Sequence, residues 1–190
     1  MKTIAITGGI GSGKSVVSKI MLASGYPVYD SDSRAKELTD LIPAIKEKLT
    51  ALIGMDAYKN GLLNRKLLSG YIFASAQNRE VVDSIIHPEV KSDFIRWRSV
   101  QKSDIIFMES AILFESGFDN LADEIWCVTA PLELRIERIV KRNGIMPVEA
   151  KKRISAQMDD ETRNRLSEYI IVNDGNVAML PQLKKIFQDF

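Results

Sequence analysis

Hydrophobic positions change period twice within the first thirty residues. Thr3 to Thr7 form a short β-branched run that reads as a buried strand, and glycines from Gly8 to Gly13 follow at once. From Ser15 onward Val16, Val17, Ile20 and Met21 recur at helical spacing until Gly25, and Pro27 to Asp30 predict a second strand. From about Ser33 to Gln101 the pattern is helical throughout, with no convincing strand. One amphipathic stretch carries Leu38, Leu41, Ile45, Leu49 and Ile53, broken or kinked at Pro43. A second runs from Leu62 to Phe73 and a third from Val81 to Trp97, with Gly54, Asn60-Gly61 and Gly70 as punctuation. Strand patterns then return at Asp104 to Glu109, Glu124 to Thr129 and Tyr169 to Val172. Pro131 opens a helix after the second of these, and Val177 to Phe190 predict a closing amphipathic helix.

Five strands alternating with helices predict an α/β core: a five-stranded parallel sheet flanked by helices. The helical middle is too long for an ordinary crossover and reads as an inserted subdomain. The expected division is a core of residues 1–32, 102–140 and 166–190, a helical insertion over 33–101, and a lid over 141–165.

Composition narrows the function classes. The 190 residues carry 26 Lys and Arg against 25 Asp and Glu, a net charge of +1, which argues against a general nucleic-acid binder. One cysteine and one histidine exclude an intramolecular disulfide and make a zinc cluster implausible. No segment has the roughly 20 apolar residues of a membrane span, nor does the start resemble a secretory signal. The expectation is a cytoplasmic protein without a membrane partner.

Gly8-Gly9-Ile10-Gly11-Ser12-Gly13-Lys14-Ser15 matches G-x-x-x-x-G-K-[ST] between a predicted strand and helix. Glycines let the backbone turn sharply and present successive N–H groups to phosphate oxygens, while the helix start adds its positive dipole end. Lys14 is expected to reach the β- and γ-phosphates and Ser15 to ligate Mg²⁺. No guanine-reading Asn-Lys-x-Asp is present, and the compact size favours a small-molecule kinase using ATP and Mg²⁺. Motors and switches share the loop, so the motif alone leaves the reaction open.

The acceptor chemistry is expected at Asp30-Ser31-Asp32, just beyond the second strand, because open α/β sheets bind ligands at the carboxyl ends of their strands. Asp32 suits a base that orients a hydroxyl for in-line attack, set against an ordinary role as helix cap. Asp30 suits the loop or a Mg²⁺-bound water. Glu109, ending the third strand, is a candidate Mg²⁺ partner through water, and Glu115 a weaker one. Basic residues gather from Arg135 to Arg165. Most are explained as a solvated face paired with Glu133, Glu137, Glu149 and Asp159 to Glu161, leaving Arg142 first and Arg138 second as candidates to stabilise charge on a transferred phosphoryl group. The aromatics Tyr71, Phe73, Phe94, Trp97 and Trp126 read as core.

The ordered set of glycine loop, Asp-x-Asp, His87-Pro88 on a long helix, Leu113-Phe114-Glu115 and Asn173-Asp174-Gly175 resembles the dephospho-CoA kinase family along almost the whole chain. That resemblance implies ATP-dependent phosphorylation of the ribose 3′-hydroxyl of dephospho-CoA, the last step of coenzyme A synthesis. It implies Asp32 as base, Lys14 as phosphate clamp and Arg142 as lid arginine. The loop Gly8, Gly9, Gly11, Ser12, Gly13, Lys14, Ser15 and Val16 would hold ATP, with Asn173 near the adenine. His87 and Pro88 would shape the acceptor side together with Asp32 and Arg138, and the insertion would be the CoA-side subdomain. Gln157 also fits the family pattern. Ser31 stands where the family usually has Ala, Val16 where it has Thr, and Ser110-Ala111-Ile112 where it has Pro before two leucines. A monomer or weak homo-oligomer is expected. The alternatives are another small-molecule or nucleotide kinase, of shikimate type for example, and a nucleotide-dependent binding switch.

Overall fold

The computed structural model describes residues 1–188. They form two compact units, one of Met1–Tyr29 with residues 101–188 and one of Asp30–Val100. The final two positions of the predicted closing helix lie outside the described residues.

In the first unit, strand β1 (Lys2–Thr7) leads through the glycine loop into helix α1 (Lys14–Ala23), and β2 (Val28–Asp30) follows. β1 is buried on both faces, with Ile4, Ala5 and Ile6 fully inaccessible, which is why its sequence reads as a continuous apolar run and not as an alternation.

The second unit is helical. It contains α2 (Ser31–Leu41), α3 (Pro43–Ile53), two short strands β3 (Tyr58–Lys59) and β4 (Leu62–Leu63), α4 (Arg65–Ala74) and α5 (Ala76–Ser99). The break between α2 and α3 falls where Pro43 demands it. Ile42 is extended at φ −80°, ψ 117°, as a residue preceding proline prefers, and Pro43 then starts α3. The antiparallel pair β3–β4 corrects the expectation of a strandless insertion. Asn60 at φ 53° and Gly61 at φ 79° supply the two left-handed residues of a tight hairpin turn. Tyr58 Oη donates to the Thr39 carbonyl at 2.8 Å and Leu63 N–H to Asp40 Oδ1 at 2.8 Å, tying the hairpin to α2. α5 runs through Pro88, which lacks the N–H that would pair with Ser84. Leu38, Ile45, Leu49, Val82, Val90 and Phe94 are buried in this unit. Phe73, expected in the core, is 66% exposed, because α4 turns that face outward.

The first unit resumes with β5 (Ile105–Glu109), β6 (Glu124–Thr129), α6 (Leu132–Asn143), α7 (Pro147–Ser155), α8 (Asp160–Arg165), β7 (Tyr169–Val172) and α9 (Met179–Gln188). Pro131 stands one residue before α6 as its cap position. The sheet order is β2-β5-β1-β6-β7, with β1 parallel to β5 and β6, and β6 parallel to β7. Trp126 is fully buried at the centre of an aromatic cluster, its ring centroid 5.3 Å from Phe107 and 5.5 Å from Phe187. Its indole N–H donates to Glu124 Oε1 at 2.6 Å, and Lys2 Nζ holds the other carboxylate oxygen at 2.7 Å, so the buried polar atom is satisfied. Residues 141–165, expected as a lid, comprise the end of α6, α7 and α8 within this unit.

Candidate functional site

The nucleotide side is built on the chain reversal between β1 and α1. Gly13 is the capping residue of α1 at φ 100°, ψ 20°, a left-handed conformation that disfavours any side chain. A Cβ there would also lie 3.3 Å from Asn173 Cγ. α1 starts without a side-chain cap and without an acidic residue in its first turn. Its first N–H groups and dipole therefore suit an anion supplied from outside the helix. Lys14 is the first helical residue and half-buried, Ser15 is exposed, and Val16 is 44% exposed.

Four side chains from distant parts of the sequence brace this loop. Arg138 on α6 donates to the Gly11 and Ser12 carbonyls, both at 3.2 Å, and to the Asn173 carbonyl and Oδ1 at 3.1 and 3.3 Å. Asn173 Nδ2 donates to the Ser12 carbonyl at 2.7 Å. Gln157 Oε1 accepts from Ile10 N–H at 2.8 Å, while its Nε2 donates to the Ala111 carbonyl at 3.3 Å. Arg135, whose side chain is 2% exposed, donates from Nε to the Ile10 carbonyl at 2.9 Å and from Nη1 to Asp160. Arg163, 1% exposed, shares Asp160 at 2.7 Å and reaches the Met158 carbonyl at 2.6 Å. Burial lowers the pKa of Arg135, an effect the Asp160 carboxylate opposes.

Arg138 was expected on the acceptor side; its bonds are with the glycine loop and Asn173. Arg142 lies in the exposed last turn of α6, its Nε donating to Asn143 Oδ1 at 3.0 Å. Among the described residues it makes no bond to the glycine loop. Arg153 pairs with Glu149 at 2.6 Å, as a solvated helix face predicts. Arg135 and Arg163 do the opposite, and Arg135 is the residue that reading missed. Its signal is its place four residues before Ile139, the other buried position on α6. Glu109 ends β5 and is 6% exposed, in register with Ile6 on β1. Glu115 Oε1 accepts from Met158 N–H at 2.9 Å.

The second unit holds the acceptor-side candidates. Asp30, and not Asp32, caps α2. Its Oδ1 accepts from Ser33 N–H at 3.0 Å and its Oδ2 from the Ser33 hydroxyl at 2.6 Å. Asp32 occupies the first turn of α2, two residues past β2. Arg34 fixes that turn to α5 through a two-pronged pair with Asp93, with Nε–Oδ2 and Nη2–Oδ1 both 2.9 Å. On α5, His87 Nε2 is 3.4 Å from Asp83 Oδ1, one turn away, and burial raises the Asp83 pKa. Pro88 follows His87 within the helix. A cavity of about 680 Å³ lies between the end of α3 and the start of α4, lined by Leu52, Ile53, Leu67 and Tyr71 with Asn64 and Lys66.

A glycine loop opened at a helix start and braced from behind by arginine and amide side chains is built to hold a polyphosphate, and with the parallel sheet that carries it defines a phosphate-loop nucleotide-binding protein. A family model described as dephospho-CoA kinase matches residues 2–179, and the chain belongs to that family. A dephospho-CoA kinase from Porphyromonas gingivalis is 47% identical over 189 residues, covering 99% of this chain and 94% of that protein. A Thermus thermophilus protein of known crystal structure superposes with a TM-score of 0.88 at 30% identity, covering 100% of this chain and 97% of that one. The dephospho-CoA kinase structure from Campylobacter jejuni has the same fold, with a TM-score of 0.72 at 23% identity over 100% and 97% of the two chains. Membership in this family makes the protein an enzyme with a nucleotide substrate and a small-molecule acceptor. No helix among the described residues is long and apolar enough to cross a membrane.

Proposed function

We propose that the protein transfers the γ-phosphoryl group of ATP to the 3′-hydroxyl of dephospho-CoA. The observation that carries this reading is the family match, which runs from the second residue to the start of α9 and so takes in the loop, the helical unit and the segment over 141–165. Phosphoryl transfer asks little covalent chemistry of a protein and much positioning and charge stabilisation. Loop amides and Lys14 hold the phosphates, Asn173 and Arg138 keep the loop in shape, and Arg142 stabilises charge on the transferred group from the exposed end of α6. Asp32 accepts the proton of the attacking hydroxyl; the cap of α2 is Asp30, so a helix-capping role does not account for Asp32. His87 and Pro88 shape the acceptor side, and the cavity beside α4, apolar except for Asn64 and Lys66, suits the pantetheine arm.

Magnesium fits the donor set. Ser15 offers an exposed hydroxyl and Glu109 a carboxylate, which acts through water, and both are hard oxygen donors. An ion there would be held mainly by phosphates and water, with these two oxygens as the protein's share. Bound there, Mg²⁺ would neutralise phosphate charge during transfer. The same reading makes the enzyme cytoplasmic, a monomer or weak homo-oligomer, with no nucleic-acid or membrane partner.

The test is an acceptor panel with MgATP: dephospho-CoA, shikimate, AMP and dCMP, read by ADP release. Turnover on dephospho-CoA far above the others is expected. Equal or greater turnover on another acceptor would replace the assignment.

A further inference from the structure

Gly9 and Arg135 fit one another in a way the loop motif does not require. Gly9 has no left-handed φ, so its backbone alone would admit a side chain. What excludes one is the guanidinium of Arg135: a Cβ on Gly9 would lie 2.7 Å from Arg135 Cζ and collide with Nη2. At Gly11 a Cβ would lie 2.8 Å from the Arg135 carbonyl oxygen. The outer surface of the loop is thus moulded on this one residue of α6, which also holds the Ile10 carbonyl at 2.9 Å. Its far end is fixed by Asp160, and Asp160 is itself fixed by Arg163. Two buried guanidinium groups sharing one carboxylate form a costly arrangement unless every donor is well placed. Here that arrangement connects the start of α8 to the middle of the glycine loop.

We propose that Arg135 is a positioning residue for nucleotide binding: it fixes the curvature of residues 9–11, and the loop has glycine at position 9 to admit its guanidinium. This rests on the reading of the loop as the nucleotide site. Arg135 acts through the loop backbone, so its loss shifts nucleotide affinity and leaves the acceptor largely unaffected. Arg135→Met keeps the aliphatic bulk and leaves Asp160 still paired with Arg163, so the fold has no orphaned charge. Arg135→Gln removes Cζ, Nη1 and Nη2, the three atoms a Cβ on Gly9 would meet, and keeps an amide donor for Ile10.

The test combines MgADP affinity by calorimetry, KM for both substrates, and amide hydrogen exchange over residues 8–13 without nucleotide. Arg135→Met should weaken MgADP about tenfold, with acceptor KM within about twofold and faster loop exchange. Arg135→Gln should be milder than Arg135→Met. Gly9→Ala should weaken MgADP at least about tenfold, and Gly9→Ala with Arg135→Gln should recover the affinity of Arg135→Gln alone. Independent, multiplying losses in the double variant would overturn the fit between the two residues. So would unchanged affinity and loop exchange in Arg135→Met, or an acceptor KM that moves instead. Wild-type protein without MgADP affinity would overturn the nucleotide reading together with this one, whereas normal wild-type affinity with unaltered variants overturns this one alone.

Discussion

Arg138→Ala separates a nucleotide brace from an acceptor ligand. The substitution removes four bonds, two to loop carbonyls at 3.2 Å and two to Asn173 at 3.1 and 3.3 Å. These are long for charge-assisted bonds, and Arg138 is partly exposed, so each counts at the neutral value of about 0.5–1.5 kcal/mol and not at the stronger charged one. Ser12 retains the Asn173 amide as a partner at 2.7 Å, and the Gly11 carbonyl, half-exposed, can turn to water. The net loss of loop order is therefore about 1–2 kcal/mol, which weakens nucleotide binding about 5- to 30-fold. Isothermal calorimetry with MgADP measures this directly, and steady-state KM for ATP and dephospho-CoA gives the partition between substrates. A rise in acceptor KM of this size, with nucleotide affinity intact, would refute the argument and return Arg138 to the acceptor side.

Asp32→Asn should lower kcat by about 10²-fold or more while MgATP affinity stays within about twofold, as expected on losing a general base; near-normal turnover would remove that assignment. The Cys127 thiol is buried, and burial pushes its pKa up to about 11, so native protein should resist a thiol-specific disulfide reagent at pH 8 and react fully once denatured. Rapid native labelling would contradict the packing around β6. Asp159 caps α8 by accepting from Thr162 N–H at 2.8 Å, and that backbone bond holds its carboxyl below the usual range. A depressed carboxyl pKa contributes stability above the ordinary carboxylate pKa of about 3.9, and that contribution is lost as pH falls through the folded-state value. Asp159→Asn keeps a capping oxygen but cannot titrate, so its melting temperature should depend less on pH between about 5 and 2 than that of the wild type.

What the chain discloses on reading follows the range of the forces involved. The loop, α1 and the five sheet strands are local patterns, and β6 falls where its apolar run lies because it is nearly enclosed, whereas the edge strand β7 buries only Ile171. Pro43 marks the α2–α3 break through the conformational restriction it places on Ile42. The β3–β4 hairpin escaped because its strands are two residues long; Asn60-Gly61 carries the turn signal, but no alternation on either side supports it. The sequence suggests Asp32 as the possible cap of α2 and Asp30 for the loop or a Mg²⁺-bound water, and only backbone geometry gives the cap to Asp30. The bracing of the loop rests on contacts between residues far apart in sequence. Arg135 meets Ile10 across 125 positions of sequence, and Arg138 meets Ser12 across 126. A helix bearing Glu133, Glu137, Arg135 and Arg138 looks like a solvated charged face until tertiary packing shows which two of these face the loop.

The central claim is transfer of a phosphoryl group from ATP to the ribose of dephospho-CoA. It is tested most directly by incubating the protein with MgATP and dephospho-CoA, then reading the product by mass spectrometry and ³¹P NMR. The predicted result is a product heavier by one phosphoryl group, with a new phosphomonoester coupled to the ribose 3′ proton and one ADP formed per product. ADP release with the acceptor unchanged, or a phosphate on any other oxygen, would contradict it.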